Sequence, residues 1–95
     1  MIRIKLSGNF NETLRLMIKD NPNALEDIGL AIKLLQNNPS DTRLHNHLLR
    51  KRLEGRWAFS VTDDIRIIYR CIGKNEVRFL AIGTHTKVYR MRSRT

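Results

Sequence analysis

Apolar and polar residues follow two different spacings in the first 40 residues of the chain. Ile2, Ile4 and Leu6 alternate with basic residues, which is the pattern of a half-buried β-strand. Two later segments repeat apolar residues at the spacing of one helical face, so we expect two amphipathic helices. The first contains Phe10, Leu14, Met17 and Ile18, and the second contains Leu25, Ile28, Ile32 and Leu35.

Polar residues indicate where the two helices should begin and end. Asn9 has Glu12 three residues later, a capping-box spacing that predicts the start of the first helix, which should end near Asp20. Residues 21–22, Asn-Pro, predict the start of the second helix, and residues 37–39, Asn-Asn-Pro, predict its end. So short a connection predicts an antiparallel helical hairpin with both apolar stripes facing a sheet.

The second half of the chain predicts a loop followed by three strands. Residues 40–54 show no sustained spacing and should form a loop with at most one helical turn. Residues 57–61 alternate as a strand, and residues 62–64 supply a tight turn. The buried face of the following strand is predicted to contain Ile65, Ile67, Tyr69 and Cys71. Residues 73–75 form a second hairpin loop, and residues 77–82, apolar on both faces, predict a central strand.

These elements predict an α+β fold with the order β-α-α-β-β-β. We expect an antiparallel four-stranded sheet packed against the N-terminal helical hairpin. A chain of 95 residues forms one domain, so residues 1–95 should be a single unit. No apolar run is long enough to span a bilayer, and the N-terminus lacks the pattern of a signal peptide. We therefore expect a cytoplasmic protein that does not associate with a membrane.

Charge and cysteine content narrow the classes of partner. The formal net charge is +9 and the isoelectric point is near 10.6, which favours a polyanion such as nucleic acid, or an acidic protein. A basic surface that serves only solubility is the alternative. Cys71 is the single cysteine, which excludes an intrachain disulfide and a zinc-binding cysteine cluster. We expect neither a metal nor another cofactor.

Polar side chains of hydrolytic type follow the predicted strands. Alternation places Asp64 and Arg66 on one strand face, and His85 and Tyr89 follow the next strand. A carboxylate, a guanidinium, an imidazole and a phenol are the groups that metal-free cleavage of an RNA phosphodiester would use. Asp64 and Arg66 could instead form a surface ion pair, which contributes about 0 to 1 kcal/mol.

Three motifs follow one another in the second half of the chain, namely L-x-G-x-W at residues 53–57, D-x-R-I-I-Y at residues 64–69 and I-G-T-H-x-x-V-Y at residues 82–89. The motifs and their order resemble the RelE/ParE superfamily of bacterial type II toxins. Within the superfamily the chain is most similar to the YafQ-type and RelE-type mRNA interferases. The resemblance implies a ribosome-dependent endoribonuclease that cleaves mRNA in the ribosomal A site, contacts 16S rRNA and is inhibited by a cognate antitoxin.

The resemblance also implies roles for individual residues. His47, Asp64 and His85 resemble the loop histidine, the aspartate and the GTH histidine of YafQ-like toxins. Arg66 resembles the strand arginine with which RelE-like members hold the scissile phosphate, and Tyr89 resembles an aromatic residue that stacks on a base or transfers a proton. We expect His85 to be the principal acid or base, Arg66 to stabilise the phosphorane, and His47 or Tyr89 to be the second proton carrier.

Other basic residues are expected to bind phosphates without choosing a sequence. They are Arg50, Lys51, Arg52, Arg56, Lys87 and Arg90. The chain departs from the YafQ-like pattern at Ser60, where those toxins tend to have another histidine. His45 should point away from His47 along an extended loop, and we expect it to be non-catalytic.

Two alternative functions share much of this evidence. A ParE-like toxin has the same fold but poisons DNA gyrase and has no nuclease site, and fold alone does not separate the two classes. The combination of Asp64, His85 and Tyr89 favours the nuclease, because a gyrase poison has no evident need for it. A nucleic-acid-binding module without catalysis would also explain the charge, but no recognised binding motif supports it.

Overall fold

The computed structural model describes residues 1–49 and 55–84. The predicted sites at Arg50, Lys51, Arg52, His85, Lys87, Tyr89 and Arg90 lie outside these ranges. The described elements are, in order, β1 (Arg3–Leu6), α1 (Gly8–Asp20), α2 (Ala24–Asn37), a 3₁₀ turn (Thr42–Leu44), β2 (His47–Leu48), β3 (Trp57–Ser60), β4 (Ile65–Gly73) and β5 (Glu76–Thr84). Neither described helix is long and apolar enough to cross a membrane.

The predicted α+β class is confirmed, but the sheet differs from the prediction in two details. Its strand order is β1-β5-β4-β3-β2, so it has five strands, not four. The additional strand is β2, whose two residues are too few to show a period in the sequence. The pair β1 and β5 is parallel, and the chain passes through both helices and through β2, β3 and β4 before it reaches β5. The other strand pairs are antiparallel, as expected.

Both helices start two residues away from the predicted positions, and both end as predicted, at Asp20 and Asn37. Ser7 is the N-cap of α1, and its Oγ accepts a hydrogen bond from the Phe10 N–H at 3.0 Å. Asn9, the predicted cap, instead donates from Nδ2 to the Leu80 carbonyl at 2.8 Å and ties the start of α1 to β5. The second helix begins at Ala24, after the predicted Asn-Pro signal.

The main hydrophobic core lies between the two helices and one face of the sheet. Phe10 of α1 and Leu35 of α2 are almost completely buried there, beside Phe59, Ile67 and Phe79 from three strands. The Phe10 and Phe79 rings meet edge to face with their centroids 5.3 Å apart. Burying such side chains supplies most of the stability of a small domain, at about 1.5 to 3 kcal/mol each.

Three residues predicted to lie on buried faces are exposed, namely Leu6 at the end of β1, Cys71 and Leu25. Cys71 is exposed because the last four residues of β4, Arg70–Gly73, extend past the core. The strand is also irregular there, since its register against β5 shifts between Cys71 and Gly73. Leu25 is 55% exposed, and the neighbouring Ala24 takes the buried position of the α2 stripe. The remaining predicted stripe residues are buried or half-buried.

Candidate active site

The second face of the sheet, opposite α1 and α2, carries the candidate site. Strand alternation directs Phe59 and Ile67 into the main core, so Ser60 and Arg66 project from the second face. A small apolar cluster of Leu49, Ala58, Ile68 and Leu80 lies on the second face. It divides that face into one end near the β3–β4 turn and another near the β4–β5 turn.

Arg66 is fixed at the end of the second face nearest the β3–β4 turn. Its Nη1 donates to the Thr62 carbonyl at 2.7 Å and to the Ile65 carbonyl at 3.3 Å. A guanidinium has five N–H donors, and among the described residues no side chain or carbonyl accepts from the other three. Nε and Nη2 are therefore donors on a positioned side chain, which is the arrangement that binds a phosphate in a bidentate manner.

Ser60 lies directly opposite Arg66 in the β3–β4 ladder. It is 6% exposed, and its Oγ has no hydrogen-bond partner in the described part of the chain. A buried hydroxyl without a partner costs about 1 to 3 kcal/mol. The hydroxyl is therefore an unsatisfied buried group next to the Arg66 position in the ladder.

His47 is held on the same face by the edge strand β2. It pairs with Ala58, which pairs with Ile68, and Arg66 lies two residues from Ile68 on β4. Strand geometry therefore gives a Cα separation of about 12 Å between His47 and Arg66.

The ring of His47 is oriented by its own loop. Nδ1 donates to the His45 carbonyl at 2.7 Å, and a carbonyl can only accept, so the neutral ring carries its proton on Nδ1. Nε2 is then the nitrogen that can accept a proton. His45 itself has a backbone φ of 47°, a left-handed conformation that directs its carbonyl toward His47.

Asn46 anchors the loop that carries His47. The buried Tyr69 hydroxyl donates to Asn46 Oδ1 at 2.8 Å, and Asn46 Nδ2 donates to the Pro39 carbonyl at 3.3 Å. Burial raises the pKa of Tyr69 to about 12, and the hydrogen bond with Asn46 partly offsets this rise. The phenol therefore remains a donor at neutral pH, and it connects the core to the His47 loop.

An acidic cap holds the preceding 3₁₀ turn. Asp41 accepts from the Arg43 backbone N–H at 2.9 Å and from its guanidinium at 3.0 and 2.9 Å. The side-chain hydrogen bond from Arg43 lowers the pKa of Asp41 to about 2. Asp41 therefore stays ionised throughout the physiological pH range. It holds the turn before His47 through both the backbone and the side chain of Arg43.

Asp64 does not form the alternative ion pair with Arg66. It is exposed in the turn before β4, and its backbone N–H donates to Thr62 Oγ1 at 3.3 Å. The Thr62 turn draws the guanidinium toward backbone carbonyls instead, and no ion pair of the described residues includes Asp64. The alternative that Asp64 and Arg66 are only a surface salt bridge is therefore wrong.

The structure places three predicted site residues on the second face of the sheet, together with Ser60. His47 and Arg66 lie there, and Arg56, two residues before Ala58, lies on the same side of β3. Sequence reasoning noted Ser60 only as a departure from a family pattern, and the signal that would have identified it is its pairing with Arg66. Within residues 1–49 and 55–84, no group of three or more potential metal-ligating side chains is close enough to hold a metal ion.

Comparison with known proteins gives a family and a set of related folds. The chain matches a family model described as a bacterial toxin of a type II toxin-antitoxin system, YafQ, over residues 2–90. No curated protein matches the chain.

Three solved structures illustrate the similarity of fold. YafQ from E. coli strain BL21(DE3) is 24% identical with a TM-score of 0.77, and the match covers 94% of this chain and 99% of that one. YafQ in the E. coli DinJ-YafQ complex is 25% identical with a TM-score of 0.76, over 94% of this chain and 99% of that one. A YoeB/ParE toxin from Agrobacterium tumefaciens is 15% identical with a TM-score of 0.73, over 88% and 99%.

Proposed function

The chain belongs to the YafQ family of bacterial type II toxins, and from this premise we propose that it is a ribosome-dependent endoribonuclease that cleaves mRNA in the A site. The observation that carries the proposal is the placement of His47 and Arg66 on one face of the sheet, with their polar groups oriented by backbone carbonyls. A positioned imidazole and guanidinium are suited to phosphodiester cleavage without a metal ion.

The reaction requires two proton transfers and stabilisation of charge. A base removes the proton from a ribose 2′-OH, the 2′-oxygen bonds to phosphorus, and the bond from phosphorus to the 5′-oxygen breaks as an acid protonates that oxygen. We propose that the Arg66 guanidinium stabilises the negative charge on the phosphorane. His85, which directly follows the last residue of β5, is the proposed principal proton carrier, with His47 or Tyr89 as the second.

Asp64 has a supporting role in this mechanism. It is exposed in the turn directly before β4, next to Ile65, which pairs with Thr84 at the end of β5. A carboxylate there would orient a histidine and favour its protonated form. The assignment of one histidine as acid and the other as base is left open.

The proposed partners follow from charge and from the family. YafQ is found in complex with DinJ in E. coli, so we propose a cognate antitoxin for this chain, with an acidic or amphipathic segment that masks the basic residues near the site. The other proposed partners are mRNA and the 16S rRNA of the ribosome. These partners place the protein in the cytoplasm.

Primer extension on a reporter mRNA after brief induction in bacteria tests the proposal. The wild-type chain should produce cuts within translated codons, and His85→Ala should abolish them. His45→Asn is a matched control, because asparagine tolerates the left-handed backbone and keeps the carbonyl that orients His47. If growth stops without mRNA cuts and gyrase supercoiling activity is lost, the nuclease assignment is wrong and gyrase poisoning replaces it.

A further inference from the structure

A row of cations crosses the second face at the end away from Arg66. Lys5 of β1 pairs with Arg78 of β5, and Arg78 pairs with Arg70 of β4. Arg56 precedes Trp57, which pairs with Tyr69, so it occupies the next position beside Arg70. We call these four residues the basic row. Adjacent strands lie about 4.8 Å apart, so the row is about 14 Å long.

Repulsion between the cations of the basic row lowers the stability of the sheet. Like charges directly opposite each other in a sheet are destabilising, and both Arg70 and Arg78 are exposed. Lys5 has a carboxylate partner, Glu76, at 3.6 Å. Among the described residues no ion pair includes either arginine. Two facing guanidinium groups are therefore left for an external anion.

We propose that the basic row binds phosphates of the RNA strand that is cut at Arg66, at nucleotides beyond the scissile bond. This proposal rests on the proposed nuclease function. Arg70 follows Arg66 by four residues on the same strand, so the two ends of the site are about 13 Å apart. An extended RNA strand that passes Arg66 has further phosphates at that distance.

The surface between the two ends is compatible with a nucleic acid strand. Ile68 lies between Arg66 and Arg70 on β4, with Leu80 packed beside it. This uncharged strip offers a surface for bases, while the arginines at either end bind phosphates through their planar forks. The RNA strand would run along β4 from Arg66 and cross the basic row at Arg70, where Arg78 lies on the adjacent strand about 4.8 Å away.

Equilibrium binding of a labelled ten-nucleotide RNA with 2′-O-methyl riboses tests the basic row, because this RNA cannot be cleaved. The test variant is Arg70→Ala/Arg78→Ala. The control is Arg15→Ala/Lys19→Ala, which removes the same charge from exposed positions on α1, on the other side of the sheet. Circular dichroism and thermal unfolding should show that both variants are folded.

The test variant should bind roughly tenfold more weakly at low salt. Its slope of log affinity against log salt should be shallower by about 1.4, which corresponds to two phosphates on a single strand. The control should keep the wild-type slope. An unchanged slope in the test variant would overturn the proposal, as would a variant that loses antitoxin binding but keeps RNA binding.

The same assay separates this proposal from the proposed function. If the wild-type chain binds the RNA and cuts mRNA on ribosomes while the test variant binds normally, the basic row is not a phosphate site and the nuclease assignment stands. If the wild-type chain neither binds RNA nor cuts mRNA, the proposed function fails, and the basic row fails with it.

Discussion

Ser60 and Arg66 are directly opposite each other in the β3–β4 ladder, and the buried Ser60 hydroxyl has no hydrogen-bond partner among the described residues. A native protein rarely retains such a group without a reason. The unsatisfied hydroxyl beside the Arg66 position is therefore expected to lower the stability of the fold.

Removing the Ser60 hydroxyl should make the protein more stable. Ser60→Ala eliminates an unsatisfied buried polar group, so we expect the free energy of unfolding to rise by about 1 kcal/mol. The melting temperature should rise by about 4 to 8 °C in a domain of this size. Thr62→Ala is the matched control, and it should lower stability because Thr62 Oγ1 accepts from the Ile65 N–H at 3.1 Å. A loss of stability in Ser60→Ala would contradict the account.

The two histidines of the loop should differ sharply in their effect on cleavage. His47→Ala removes a proposed proton carrier and should slow single-turnover mRNA cleavage by about 10² to 10⁴. His45→Asn should cleave at nearly the wild-type rate, because His45 holds the His47 ring through its backbone carbonyl, which asparagine also supplies. Equal losses in the two variants would show that the loop matters for structure and not for proton transfer.

Tyr69→Phe should loosen the His47 loop and change the alkaline stability. The variant loses the hydrogen bond to Asn46 Oδ1 and should be less stable by about 1 kcal/mol. The pKa of Tyr69 is raised to about 12 in the folded protein, above the unfolded value near 10. Its stabilising contribution is therefore complete below pH 10 and is lost as the pH rises toward 12.

Chemical unfolding between pH 8 and 12 measures this contribution. The stability of the wild-type chain should decrease more steeply above pH 10 than that of Tyr69→Phe, and the two curves should converge. Parallel curves across this range would mean that the Tyr69 phenol ionises as readily in the folded chain as in the unfolded one.

Arg78→Thr should stabilise the sheet at low salt. It removes one of the two inner cations of the basic row, and the relief of repulsion is worth about 0.2 to 1 kcal/mol. The gain should shrink at high salt, because exposed charges are screened. Lys5→Thr should stabilise less, since Lys5 also has a carboxylate partner in Glu76. Thermal unfolding at two salt concentrations checks this, and a destabilised Arg78→Thr would contradict it.

Local patterns in the sequence were sufficient for the fold class and the family. Alternating and helical spacings predicted both helices and four of the strands, and the motif order identified the RelE/ParE superfamily, which the match over residues 2–90 confirms. The α1 cap was assigned to Asn9 instead of Ser7, because both residue types suit an N-cap and only the contact with Leu80 explains the use of Asn9.

Features that depend on cross-strand register could not be predicted. The pairing of Ser60 with Arg66, and of Arg70 with Arg78, joins positions that are distant or unremarkable in the sequence. Alternation of side chains allows an ion pair between Asp64 and Arg66 as an alternative, but the Arg66 guanidinium donates to the Thr62 carbonyl instead. The roles of His85 and Tyr89 remain predictions from the family resemblance.

Single-turnover cleavage of mRNA on programmed ribosomes, with wild-type toxin and Arg66→Lys, tests the central claim most directly. Lysine keeps the charge but lacks the planar fork, so we expect the rate to fall by about 10² or more, while Arg15→Lys on α1 keeps the wild-type rate. Naked mRNA should remain intact with all three proteins. Wild-type cleavage by Arg66→Lys would contradict the assignment of the second face of the sheet as the active site.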